Sequence, residues 1–180
     1  MTTYISLLRG INVSGQKQIK MAALKVVYES LKFERVRTYI QSGNVVFQSS
    51  NDKITLNKNI EIAIKEHFDF DAPVLILTQH QLESTAKNLP FTSINIEEEG
   101  NKIIVFFLSE SISIDQENTL GAYLSNSEQL VLNQNVIYLY CPEGSGKSKL
   151  TNKLIETKLK LTSTARNIKT VNKLLLLANS

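Results

Sequence analysis

Residues 35–48 read RVRTYIQSGNVVFQ, and this stretch decides the fold. Arg35–Gln41 and Asn44–Gln48 are rich in β-favouring residues, and Ser42-Gly43 between them supplies the turn. Two runs joined so closely form an antiparallel hairpin. Helical patterns flank the hairpin on both sides. Before it, Leu24, Val27, Tyr28 and Leu31 recur at i, i+3, i+4 and i+7. After it, Leu56, Ile60, Ala63, Ile64, His67 and Phe68 share one helical face. Outermost lie Thr3–Leu8 (TYISLL) and Pro73–Thr78 (PVLILT), both apolar and of strand length. The order is β-α-β-β-α-β.

The second half repeats that order. Lys102–Leu108 (KIIVFFL) is a strand and Asp115–Leu124 a helix. Gln129–Leu132 and Val136–Tyr140 flank Asn133-Gln134-Asn135, a second hairpin signal. Lys149–Leu159 is helical, Leu161–Thr164 a last short strand, and Ile168–Ala178 a closing helix. The expected fold class is α+β: two ferredoxin-like (βαββαβ) units with antiparallel sheets, plus a C-terminal helix. The expected boundaries are residues 1–80 for the first unit, 81–100 for a connecting segment and 101–180 for the second unit with its helix. The connecting segment holds a short helix about Gln81–Asn88, Pro90 and an acidic loop, Glu97-Glu98-Glu99-Gly100.

Composition narrows the chemistry. The 180 residues carry a formal charge of +3, one cysteine and two histidines. Cys141 alone excludes a disulfide framework and a cysteine-built metal site, and reads as a packing thiol at a strand end. His67 and His80 lack metal-ligand spacing, and no nucleophile–base triad can be assembled. No apolar run approaches the ~20 residues that span a bilayer. Met1–Gly10 lacks the apolar length of a secretory leader, so a soluble cytoplasmic protein is expected. The charge is unevenly spread: +5 over residues 1–40, −2 over 41–90, −6 over 91–140 and +6 over 141–180. Basic ends suit phosphate-bearing partners, and opposite blocks equally suit docking or self-association.

Three polar segments carry the candidate chemistry. Gly144-Ser145-Gly146-Lys147-Ser148 is similar to a phosphate-binding loop, but G-x-x-x-x-G-K-[ST] needs glycine at 141, where cysteine stands. A weaker expectation survives: the loop runs into a helix whose N-terminus favours anions, and Lys149, Lys153 and Lys160 line one helical stripe with Glu156 among them. Arg9-Gly10-Ile11-Asn12 follows the first strand, and Gln41-Ser42-Gly43-Asn44 tips the first hairpin. Both read as binding loops or as turn chemistry. Tyr4 and Phe47 occupy strands where RNA-recognition modules stack bases, and Phe47 reads rather as core.

LLRGINVSGQKQIKM at 7–21, RTYIQSGNVVF at 37–47, GSGKSKLTNKLIE at 144–156 and TARNIKTVNKLLLLA at 164–178 together resemble the bacterial family catalogued as domain of unknown function 1697. The resemblance runs in order over nearly the whole chain. It implies two ferredoxin-like units and no established activity. The positions matching its motifs are Arg9, Gly10 and Asn12, then Ser42, Gly43 and Asn44, then Ser148, Lys149 and Leu150, then Arg166 and Asn167. Ser14 stands where the family usually has glycine, and Ile168 where it usually has tryptophan. The residue before its S-K-L step is often basic, which gives Lys147 a role outside any kinase motif.

These residues donate hydrogen bonds and positive charge but offer no general base near neutral pH. The expectation is a non-enzymatic module, without cofactor or metal, that binds a phosphorylated small molecule, another anion or nucleic acid. The residues assigned to it are Arg9, Asn12, Ser42, Asn44, Lys147, Ser148, Lys149, Arg166 and Asn167. Two alternatives stand beside it: a nucleotide-dependent enzyme using Gly144–Ser148, and a structural or partner-interaction protein, including self-association.

Overall fold

The computed structural model describes every residue from Met1 to Ser180. Its first half runs β1 (Thr2–Leu8), α1 (Met21–Ser30), β2 (Glu34–Tyr39), β3 (Asn44–Ser49), α2 (Lys53–Phe68), β4 (Val74–Thr78) and α3 (Gln79–Lys87). The second half runs α4 (Ile96–Glu99), β5 (Ile103–Leu108), α5 (Ile114–Gly121), β6 (Gln129–Asn133), β7 (Val136–Tyr140), α6 (Asn152–Leu159), β8 (Ser163–Asn167) and α7 (Ile168–Ala178). The sheets have the same topology, β2-β3-β1-β4 and β6-β7-β5-β8. Every pairing is antiparallel. Two split βαβ units therefore follow one another in the chain, as the element order requires.

Period explains each element. In α1 the buried residues are Leu24, Val27 and Tyr28, and in α2 they are Leu56, Ile60, Ala63 and Ile64. Both helices pack on the face of the first sheet that carries Tyr4, Leu8, Val45 and Phe47. Tyr28 lies edge-on to Phe47 at 5.4 Å, and Phe33 stacks on Phe47 at 4.7 Å. The hydroxyls of Tyr28 and Ser6 share a hydrogen bond of 2.6 Å inside this core. In the second unit Leu120, Ile155 and Leu159 cover Phe106, Ile137 and Leu139. The uninterrupted run Ile103–Leu108 is buried or half-buried throughout, as expected of a strand covered on both faces. No helix is long and apolar enough to cross a membrane.

Contacts divide the chain into Met1–Ser84 with Lys173–Ser180, and Thr85–Asn172. The last turn of α7 is held in the first of these, where Arg37 Nη1 donates to the Leu177 carbonyl at 3.0 Å.

Several expected elements shift. The last strand covers Ser163–Asn167 instead of 161–164, because its ladder to β5 runs from Leu108↔Ser163 to Ile104↔Asn167. The helix expected from Lys149 starts at Asn152, where Thr151 Oγ1 accepts from Leu154 N at 3.2 Å and caps it. Lys149 therefore precedes the helix, and Lys160 ends it at φ 59°, so the lysine stripe dissolves. The acidic loop coils into α4, capped by Asn95, with Lys102 bridging to Glu99 at 2.8 Å. His67 is exposed, on the solvent side of α2.

Candidate anion-binding site

The nine expected site residues fall into two groups, one in each unit. In the first unit Arg9, Asn12, Ser42 and Asn44 gather where the loop after β1 meets the β2–β3 turn. Most of their hydrogen-bonding capacity is spent there. Asn12 Nδ2 donates to the carbonyls of Ile19 at 3.0 Å and Gln41 at 2.7 Å, while Oδ1 accepts from Ile19 N at 2.8 Å. Asn44, fully buried, donates to Tyr39 O at 3.0 Å and to Ser42 Oγ at 2.9 Å. The backbone N–H of Arg9 donates to Pro73 O at 2.8 Å. These residues hold the loop in shape, through positive φ at Gly10, Asn12, Ser14, Gly15 and Lys17. The open depression beside them, about 470 Å³, has Lys20 as its one charged lining residue.

The second unit is different. Ser148, Arg166 and Asn167 line one hollow of about 290 Å³ together with Asn101, Ser145, Thr151 and Asn152. Ile104, Phe106, Leu139 and Ala165 form its floor, and no aspartate or glutamate lines it. Arg166 borders the hollow only through its place in β8: it stands opposite Val105, so its side chain turns to the other face of the sheet, is 9% exposed, and donates from Nη1 to Thr164 Oγ1 at 3.1 Å and to Ala165 O at 2.7 Å. Each asparagine amide is oriented by the protein. Asn167 Oδ1 accepts from Thr170 N at 2.8 Å, Asn101 Oδ1 from Asn167 Nδ2 at 3.1 Å, and Asn152 Oδ1 from Ser163 Oγ at 2.9 Å. With the oxygens engaged inward, the N–H ends are what the hollow offers a ligand. Thr151 caps α6 and Asn167 caps α7, so two helix N-termini border the hollow and add positive potential.

Beside the hollow, Ser148 joins a small polar cluster. Burial would raise the Glu128 carboxyl, but the Ser125 N–H and the side chains of Ser148 and Cys141 outweigh it and hold its pKa below the ordinary value. Burial first, then the Glu128 charge, pushes the Cys141 thiol up to about 11. A thiol so protonated is a packing group, not a nucleophile.

Lys147 and Lys149 do not line the hollow. Lys147 is exposed and pairs with Glu143 at 3.1 Å. Ser145–Lys147 form a single 3-10 turn, and the chain is extended at Ser148 before α6 begins. The loop therefore does not wrap its N–H groups round a phosphate and lead straight into a helix, as a P-loop would. No group of three or more His, Cys, Asp or Glu side chains forms a candidate metal site.

Sequence reading missed Asn101 and Asn152. Asn101 meets Asn167 across 66 residues, through the β5–β8 register, and no local motif carries that signal. It also missed a second cationic hollow, about 290 Å³, lined by Thr3, Arg35, Arg37, Gln48 and Gln79 in the first unit. There Arg37 donates to Leu177 O and Ser180 Oγ, so it serves the end of α7.

Residues 1–138 match the family described as protein of unknown function (DUF1697). No curated protein matches the chain. Among solved structures, conserved bacterial protein SP0830 from Streptococcus pneumoniae is similar, at 27% identity and a TM-score of 0.78, with 98% of each chain covered.

Proposed function

Since the chain belongs to the DUF1697 family, whose description assigns no activity, we propose from its own side chains that it is a binding module for an anionic, phosphate-bearing ligand. The observation that carries this reading is the hollow of the second unit. Three asparagine amides whose oxygens are engaged by the protein line it, and no carboxylate does. Oxyanions accept hydrogen bonds and carry charge, so a lining of donors beside two helix N-termini fits them. Its thiol kept protonated by burial, Cys141 supplies no nucleophile beside the hollow, which favours binding over covalent chemistry. A cytoplasmic setting belongs to the same proposal, supported by the free thiol of Cys141, which a reducing compartment preserves.

Titration of the protein with inorganic phosphate, followed through backbone amide shifts, tests the reading. Saturable shifts are expected at Asn101, Ser148, Asn152 and Arg166. Asn152→Ala should weaken binding about fivefold, the scale of one neutral hydrogen bond. Asn101→Asp, at an exposed position, should weaken it without loss of the fold. Absence of saturable shifts in the folded wild-type chain overturns the proposal. If the phosphate belongs to a nucleic acid, affinity for single- or double-stranded probes should fall steeply with salt.

A further inference from the structure

The cationic hollow of the first unit has a chemistry of its own. It opens on the face of the first sheet opposite α1 and α2, and every residue that lines it belongs to that unit. We propose that it binds a phosphorylated sugar, independently of the hollow in the second unit, with the phosphate on Arg37 and Arg35 and the sugar hydroxyls on Gln48 and Gln79.

A β-bulge puts Arg37 there. The β2–β3 register slips between Glu34↔Gln48 and Arg37↔Val46, so β2 carries one extra residue, and Arg35 takes φ 49° within the slip. Without that residue, alternation would send Arg37 to the helix side and Val36 outward. With it, Val36 is buried in the core and Arg37 shares a face with Val46 and Gln48. The guanidinium is thereby fixed, yet only partly used. Nη1 donates to Leu177 O at 3.0 Å and to Ser180 Oγ, which sets its orientation, while Nε and Nη2 keep their hydrogens free. Half-buried Arg37 has no carboxylate partner, exposed Arg35 has none either, and no aspartate or glutamate lines the hollow. An oriented cation without a counter-ion, offering the Nε–Nη2 edge, can hold two oxygens of one phosphate.

The remaining lining separates a sugar phosphate from a bare anion. Gln48 Nε2 donates to Thr3 Oγ1 at 3.2 Å, and Gln79 Nε2 to Asn179 Oδ1 at 2.6 Å, which leaves each Oε1 as an acceptor. A phosphate dianion has no hydrogen to give them; sugar hydroxyls do. Val46 and Phe47 lie buried beneath, so apart from Leu177 and Ala178 at the end of α7 the hollow has no apolar surface for a base to cover. Its volume of about 290 Å³ lies at the lower edge of the range for small-molecule sites, roughly 300–1,000 Å³.

Calorimetric titration of the full chain with inorganic phosphate, glucose and glucose 6-phosphate, with backbone amide shifts to place each ligand, tests the assignment. Glucose 6-phosphate should bind about tenfold more tightly than phosphate at this site, the scale of two neutral hydrogen bonds, and shift the amides of Arg37, Gln48 and Asn179. Glucose alone should not saturate. Arg37→Gln should remove the binding but also frees the end of α7, so two variants that leave that contact intact decide the matter. Gln48→Glu sets a carboxylate against the phosphate and should weaken glucose 6-phosphate about tenfold. Arg35→Gln should weaken it about threefold, the scale of one exposed charge pair. Both should stay folded by circular dichroism and leave phosphate-induced shifts at Asn101 and Asn152 unchanged. Unaltered affinity in either variant, equal affinity for phosphate and glucose 6-phosphate, or shifts confined to the second unit would overturn this assignment and leave the anion-binding reading of the second unit standing. No saturable binding of any phosphate probe overturns both.

Discussion

Gly43 shows how much a single residue position demands. Its φ is +75°, and a Cβ there would come within 2.7 Å of both Leu8 Cβ and Ile11 Cδ1. Gly10 has nearly the same φ, +74°, with nothing within 4 Å. The left-handed backbone costs an L-residue roughly 1–2 kcal/mol, and overpacking a core adds about 1–3 kcal/mol. Gly10→Ala should therefore destabilise by about 1 kcal/mol and Gly43→Ala by about 2–4 kcal/mol, read from urea midpoints. Equal losses would refute the packing role of Gly43. The turn at this position is legible in Ser42-Gly43; its contact with Leu8 and Ile11 is not, because both partners lie more than thirty residues away. The same limit governs Asn12 and Asn44. Polar residues in glycine-bearing loops look alike whether they meet a ligand or their own backbone, and here the backbone takes them.

Among the elements, α6 departs most from its sequence pattern. Apolar Leu150, Leu154, Ile155 and Leu159 keep helical spacing, which draws the expected start back to Lys149. Leu150 is buried in the core from an extended segment instead, and Thr151 begins the helix by capping it. Loss of the cap in Thr151→Ala should cost about 1 kcal/mol and raise the exchange rate of the Leu154 amide. Unchanged exchange at Leu154 would show that the cap does not set the start. The shift matters for function. It takes Lys149 and Lys160 off the helical stripe and leaves Thr151 and Asn152 on the rim of the hollow.

At the scale of the whole molecule, alkaline pH is the sensitive side. Cys141 is pushed up to about 11 and Tyr138 up to about 12, both chiefly by burial, and burial raises Tyr28 further still. The folded state thus keeps protons that the unfolded chain releases from the ordinary thiol value of 9 upward. Their contribution is fully present below that value and is lost as pH rises through the folded pKa values. Urea midpoints should be flat from neutrality to about pH 9 and then fall, and Cys141→Ala should remove the earliest part of the fall. A midpoint that holds steady through that window would refute it. Element order, the antiparallel pairing and the duplication of one unit were determined by sequence alone. Helical and strand periods are properties of near neighbours, and a hairpin between two helices leaves one economical topology. The site was decided only by tertiary structure. Asn167 lies in β8, Asn152 in α6 and Asn101 ahead of β5; the β5–β8 register and the packing of α6 against β8 carry them to one hollow. Hydrogen bonds between residues far apart in the chain orient the amides, and those bonds have no period to read.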